Sequence, residues 1–321
     1  MPSTADEIID RRRLRRKLTF WRVAALIIAA IAIIASGFGL YADNFGPKTR
    51  DHIAKVRIEG TITDDEELLK RLKSVRESDA VKGVILAVDS PGGTTAGGEA
   101  IYEAVRKIAA KKPVVAQVGT LAASAGYMIS SASDHIVARQ SSIVGSIGVL
   151  FQFPDVTGLM DKIGVKLEGV KSSPLKAEPS PFSPTTDEER AMIRAMIMDS
   201  YEWFVDLVEE RRPLSRAEVL TLADGSVFTG RQALKNKLID ELGGEDEVRA
   251  WLEGRGLAKD LAVIEWSADT GAEAWLTSSQ AAGALARLLG LPVGVDLFSD
   301  IGADRIFLDG LVSVWHPENG R

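Results

Sequence analysis

Residues 23–42 run for twenty positions without a charged side chain, directly after a basic segment that includes Arg11, Arg12, Arg13, Arg15, Arg16 and Arg22. As a helix at about 1.5 Å per residue, such a stretch is roughly 30 Å long, the hydrocarbon thickness of a bilayer. Trp21 and Tyr41 stand at its ends, where amphipathic rings favour the membrane interface. A cleaved secretory signal is the competing reading, but the apolar region of such a signal spans only about 7–15 residues. The basic cluster precedes the span, and only Lys48 and Arg50 follow it closely. The positive-inside rule then keeps the N-terminus in the cytoplasm and sends the chain beyond about residue 43 outside. The expected order is a basic segment 1–22, one transmembrane helix 23–42, a polar linker 43–53 and a folded domain after it.

The 321-residue chain has no cysteine and three scattered histidines, His52, His135 and His316. Thiol catalysis, thiolate metal sites and disulfides are excluded, and no His-rich metal centre can be assembled. A net charge of −6 argues against a nucleic-acid partner. Any enzyme here must find its base among other residues, and no metal or organic cofactor is expected.

Beyond the linker, apolar period 2 alternates with period 3.6. Residues 54–62 alternate as a strand, while Leu68, Leu69, Leu72 and Val75 fall at helical spacing. Residues 81–90 form a compact apolar run, a buried strand, ending at the turn-like SPGGT. A helix over 99–110, a buried strand over 113–119, a small-residue helix in AASAGYMISSAS and short strands in HIVARQSSIVGSIGV follow. This alternation predicts an α/β layered domain. Residues 171–184 hold four prolines and read as a loop able to move. Thr186 with Glu189 forms a capping-box pattern opening a long helix to about Arg211. Two more helices are expected near 215–224 and 230–238, then an ELGG turn and a helix ending near Leu252. Residues 253–321 carry no recognisable chemistry, although 281–291 is apolar and helical in pattern.

Ser124 lies just after a buried strand among small residues, in LAASAGY. A nucleophile needs an exposed oxygen at a tight strand-to-helix junction, with a backbone N–H beside it, here that of Ala125. A serine in a small-residue helix can equally serve close packing alone. DSPGG at 89–93 ends another buried strand, where ligand sites of α/β folds gather, and Gly93 N–H is a candidate oxyanion donor. His135 is the obvious base, but it lies eleven residues after Ser124, roughly 16 Å along a helix. A lysine can replace it if burial keeps it neutral. Lys162, Lys166, Lys171 and Lys176 all qualify by position, and spacing does not choose among them.

DSPGG, AASAGYMIS, GSIGV, VKSSPLKAEPSP and DGSVFTGRQALKNKLIDELGG, in this order, resemble the signal peptide peptidase A family of bacterial Ser/Lys peptidases. The resemblance spans residues 54–252, which it makes the peptidase domain, and leaves 253–321 as an extension. It implies Ser124 as nucleophile and Lys176 as general base. Gly93 and Ala125 would supply the oxyanion hole, and Ser146 would orient the lysine. The family often has glycine where Ala125 stands, so a narrower pocket is expected, and commonly glycine where Ser173 stands. The implied fold is the crotonase/Clp-protease type with repeated ββα units. Members form dome-like homo-oligomers whose sites can draw groups from neighbouring subunits. Expected substrates are remnant signal peptides and other unfolded apolar segments at the bacterial inner membrane, on its periplasmic side. Two rivals differ in class: an acyl-CoA hydratase or isomerase on the same fold, with Glu99 as its carboxylate, and a non-catalytic ring-forming scaffold.

Overall fold

The computed structural model describes residues 17, 20–23, 26, 27, 47–267 and 312–314, and the chain divides into units 1–52 and 53–321. In the first unit, residues 17, 20–23, 26 and 27 are helical and Pro47–Thr49 forms a 3-10 turn. Most of the span expected at 23–42, and the helix expected at 281–291, lie outside the described residues. Among the described residues no helix is long and apolar enough to cross a membrane.

The second unit is a mixed α/β sheet. Its first half runs β1 (His52–Ile62), α1 (Glu66–Glu77), β2 (Val81–Thr94), α2 (Thr95–Ala109), β3 (Val114–Ala123), α3 (Ala125–Ser131), β4 (His135–Ala138) and β5 (Ile143–Gly145). Then come α4 (Thr157–Ile163), α5 (Asp187–Arg211), α6 (Arg216–Leu222), β6 (Val227–Thr229), α7 (Gly230–Lys235), β7 (Glu241–Leu242), α8 (Glu245–Gly254), β8 (Ala262–Glu265) and β9 (Val312–Val314). The sheet order is β6-β5-β3-β2-β1-β8, with β4 between β3 and β7, and β9 on the end of β2.

The unbroken apolar run of β2 follows from burial on both faces. Val84, Leu86 and Val88 join the main core with Leu68, Leu72 and Val75 of α1 and Ile101, Val105 and Ile108 of α2. Ile85 points the other way, with Ile53, Val115 and Val137, and is covered by Val248 and Leu252 of α8. Caps set the helix starts: Asp65 accepts from Leu68 N at 3.0 Å, and Thr186 and Glu189 complete the expected capping box of α5. The C-terminal end of α3 is held by two cations, which suits the negative end of a helix. Arg106 donates to Ala132 O at 2.8 Å, and Arg211 donates to Ser131 O at 3.1 Å and Ser133 O at 3.0 Å.

Three local readings give way to tertiary pairing. SPGGT is not a turn: β2 continues through it to Thr94, because Ser90 pairs with Ala122 of β3 and residues Gly92, Gly93 and Thr94 pair antiparallel with β9. The following helix therefore starts at Thr95 rather than 99, with Thr94 Oγ1 accepting from Gly97 N at 3.2 Å. Within ELGG, Glu241 and Leu242 form a strand paired with Val137 and Ala138. Strand β8, beyond Leu252, joins the sheet beside β1, and Trp266 N donates to Lys55 O at 2.8 Å.

Candidate active site

Ser124 is the N-cap of α3, with φ 58° and ψ −121°, and is 1% exposed. This backbone region is favoured only by glycine and costs another residue about 1–3 kcal/mol. Its amide donates to Gly145 O at 2.8 Å, tying the junction to the end of β5, and its carbonyl accepts the first helical bond from Met128 N at 2.9 Å. An N-cap serine ordinarily spends its hydroxyl on the second or third amide of the helix. Ser124 does not cap α3 with its side chain. The strain and the withheld cap both fit a hydroxyl positioned for chemistry. Replacing Ser124 with glycine is expected to raise stability by about 1 kcal/mol, measured by urea denaturation, because strain is relieved at a small entropic cost.

Ala125 opens α3, so its N–H belongs to the first turn and has no carbonyl four residues back within the helix. Its methyl group faces α2, where a Cβ on Gly98 would come within 3.1 Å of it. The methyl of Ala125 is thus met by a glycine of the neighbouring helix. Gly126 lets α3 lie on β2, since a Cβ there would sit 2.9 Å from Ser90 O. Ser90 donates from Oγ to Gly60 O at 2.7 Å and accepts from Gly92 N at 3.0 Å. It braces the strand that carries Gly93.

Gly93 is required by close approach. A Cβ would stand 1.8 Å from Ile62 O and 2.5 Å from Ile62 N, both backbone atoms of β1. Gly92 supplies the unusual torsion, at φ 106°. Ser146 has φ 53°, donates its amide to Ser226 O at 2.7 Å, and directly follows Gly145, the partner of Ser124 N. The fold thus gathers DSPGG, ASAG and GSIG around one junction.

Lys176 makes none of these hydrogen bonds. It lies exposed in the loop between α4 and α5, its amide donating to Ser173 O at 3.1 Å. Its ammonium makes no hydrogen bond or ion pair with any described residue. Nearby, Lys171 pairs with Glu178, and that bond holds the Glu178 carboxyl below the usual range. Helix α4 buries no residue, and Leu159, Ile163, Val165, Leu167 and Val170 are exposed on and after it.

His135 is remote in function as well as in sequence. Its ring stacks on Trp251 at 5.1 Å and its Nε2 bonds Glu241 at 3.1 Å, a structural setting on β4. Glu99, the carboxylate a hydratase would need, is exposed on α2. Among the described residues no group of acidic or histidine side chains could hold a metal.

The family model described as peptidase family S49 matches residues 106–258, and that of Clp protease matches 50–143. A candidate protease of Methanocaldococcus jannaschii is 36% identical over 264 residues, covering 78% of this chain and 84% of that protein. A candidate signal peptide peptidase SppA of Enterococcus faecium is 35% identical over 242 residues, 70% of each chain. Protease 4 of Haemophilus influenzae is 37% identical over 265 residues, which are 76% of this chain and 43% of that one. The mixed sheet, the strained serine between strand and helix and these relatives agree on one assignment. The chain belongs to peptidase family S49 and is a serine peptidase of Clp-protease-like α/β fold.

Proposed function

We propose that the protein is a membrane-anchored endopeptidase in which Ser124 acts as nucleophile and Lys176 as general base, cutting remnant signal peptides and other unfolded apolar peptides. The observation that carries this reading is the pairing at Gly92, Gly93 and Thr94. This edge takes an antiparallel strand, β9, beside the junction that holds Ser124. An extended peptide laid there in place of β9 would use main-chain hydrogen bonds, which any unfolded sequence can supply.

In the proposed mechanism neutral Lys176 takes the Ser124 proton as Oγ attacks the scissile carbonyl. The N–H groups of Gly93 and Ala125 hold the oxyanion, each lowering the barrier by about 3 kcal/mol. The resulting ammonium protonates the leaving amine. Water then attacks the acyl-enzyme with Lys176 again as base, and Ser146 orients the lysine. No step uses a metal or an organic cofactor.

A lysine base must be shielded from water, because burial disfavours the charged form. The exposed setting of Lys176 supports assembly of the dyad in a homo-oligomer, with the apolar side chains on and after α4 covered by a second copy. The twenty uncharged residues after the basic segment support a single span with the catalytic unit on the periplasmic side of a bacterial inner membrane.

A fluorophosphonate probe tests the nucleophile directly. Intact-mass analysis is expected to show one adduct per chain, mapped to Ser124 and absent from Ser124→Ala. The labelling rate and peptide turnover should both fall in Lys176→Ala. Unchanged rates in that variant would argue against a lysine base.

A further inference from the structure

Strands β2 and β3 pair in parallel and in step from Val84↔Val114 to Val88↔Val118, and the next pair is Ser90↔Ala122. One residue, Asp89, therefore faces three, Gly119, Thr120 and Leu121. At this bulge β3 also changes neighbour on its far side. It leaves β4 after Val118 and takes up β5 at Leu121, two residues before Ala123, which precedes Ser124.

The bulge is gripped from both sides. The Asp89 carboxylate accepts Thr120 N on Oδ2 at 3.3 Å and Leu121 N on Oδ1 at 3.1 Å. Ser142, between β4 and β5, donates from Oγ to Gly119 O at 2.6 Å. Gly119 makes room for the acid, since a Cβ there would sit 2.9 Å from Asp89 Oδ2. A bulge in a parallel pair is uncommon and leaves its extra amides outside the ladder. Here a carboxylate replaces the ladder for two of them.

We infer that Asp89 is a positioning residue for the peptidase reaction. Its carboxylate fixes the offset between the strand that carries Gly93 and the strand that leads into Ser124, and so the distance between the Gly93 N–H and the nucleophile. Asp89 touches no reacting atom; it acts through the Thr120 and Leu121 amides. The neighbouring Ser90 braces Gly92 from the same strand, so consecutive side chains of DSPGG secure the two halves of the site. The inference rests on the Ser124 reading given above.

The test uses the full-length protein in detergent, with a fluorogenic apolar peptide and the fluorophosphonate probe. Asparagine keeps the shape of Asp89 but turns an NH2 group toward one of the two amides. Asp89→Asn is expected to lower kcat about 10- to 100-fold, as small misplacements of reacting groups do, with KM changed less than about twofold. The labelling rate of Ser124 should fall in parallel when compared at equal folded fraction, a readout that simple loss of stability leaves unmoved. Gly119→Ala, which displaces the carboxylate by another route, should reproduce the defect. The double variant should be no worse than either single one, because both remove the same interaction. Wild-type kcat in Asp89→Asn, losses that multiply in the double variant, or a change confined to KM would overturn the inference. Ser124→Ala run alongside separates the two claims. If it is inactive while Asp89→Asn is normal, only the role of Asp89 falls. If Ser124→Ala turns over peptide normally, the nucleophile reading falls and this inference with it.

Discussion

Alanine at Ser124 is expected to reduce hydrolysis of an apolar fluorogenic peptide by at least about 10⁴-fold, because removal of a covalent nucleophile leaves only oxyanion stabilisation and binding. Lys176→Ala should cost nearly as much, since members of one proton-transfer unit are not additive. The two variants also report where the dyad forms. Lys176 is exposed, with no hydrogen bond or ion pair from its ammonium to any described residue, whereas Ser124 is buried at the head of α3. If neighbouring subunits share the dyad, mixing the two inactive variants under conditions that exchange subunits restores activity. Random mixing leaves roughly one quarter of heterologous interfaces with both native residues. No recovery, with exchange verified, would place serine and lysine within one chain. Full activity of Ser124→Ala would remove the peptidase mechanism proposed for this site.

Gly93→Ala is expected to cost more than about 3 kcal/mol of stability, at or above the upper end for overpacking, as well as activity. The added methyl would have to share space with the Ile62 carbonyl, 1.8 Å away, and neither atom is on a side chain that can turn aside. Strand β1 is itself paired within the sheet, so relief requires separating strands. Gly158→Ala is the matched control. It sits in α4 with nothing within 4 Å of its added Cβ, and should be neutral or gain up to about 1 kcal/mol of helix propensity. Urea denaturation of both variants checks the contrast. Equal stability would mean that β1 and β2 can move apart at Ile62 without penalty.

Much of the fold was legible because short-range chemistry determines it. The apolar stripe Leu68, Leu72 and Val75 is buried as helical spacing requires. The Thr186–Glu189 box opens α5 where the pattern placed it, and Arg211 ends it. The run VILAV reads as a two-sided buried strand and is one, with Ile85 and Leu86 in different clusters. In the site, Ser124 stands at the strand-to-helix junction that its small neighbours suggested.

What the local pattern misread shares one cause. SPGGT has the composition of a turn, in which glycine serves freedom to bend. Gly93 is instead glycine because the backbone of β1 passes within contact, which no window of neighbouring residues can express. The bracing roles of Asp89 and Ser90 are hidden from the sequence for the same reason: Gly60 O, Thr120 N and Leu121 N, which they hold, lie 30 to 32 residues away. On α5, Met196 is exposed although its side chain is apolar, while Ile193, Phe204, Val205, Leu207 and Val208 are buried.

By itself, then, the sequence determined the class of fold, the caps and the apolar faces, and offered candidate residues for the site, all from period and side-chain chemistry along a short stretch. The tertiary structure alone decided that β2 runs on to Thr94, that β3 changes neighbour through a bulge, and that Ser124 is held at positive φ by Gly145 O. Those features depend on hydrogen bonds between strands distant along the chain, where register is set by pairing rather than by local preference.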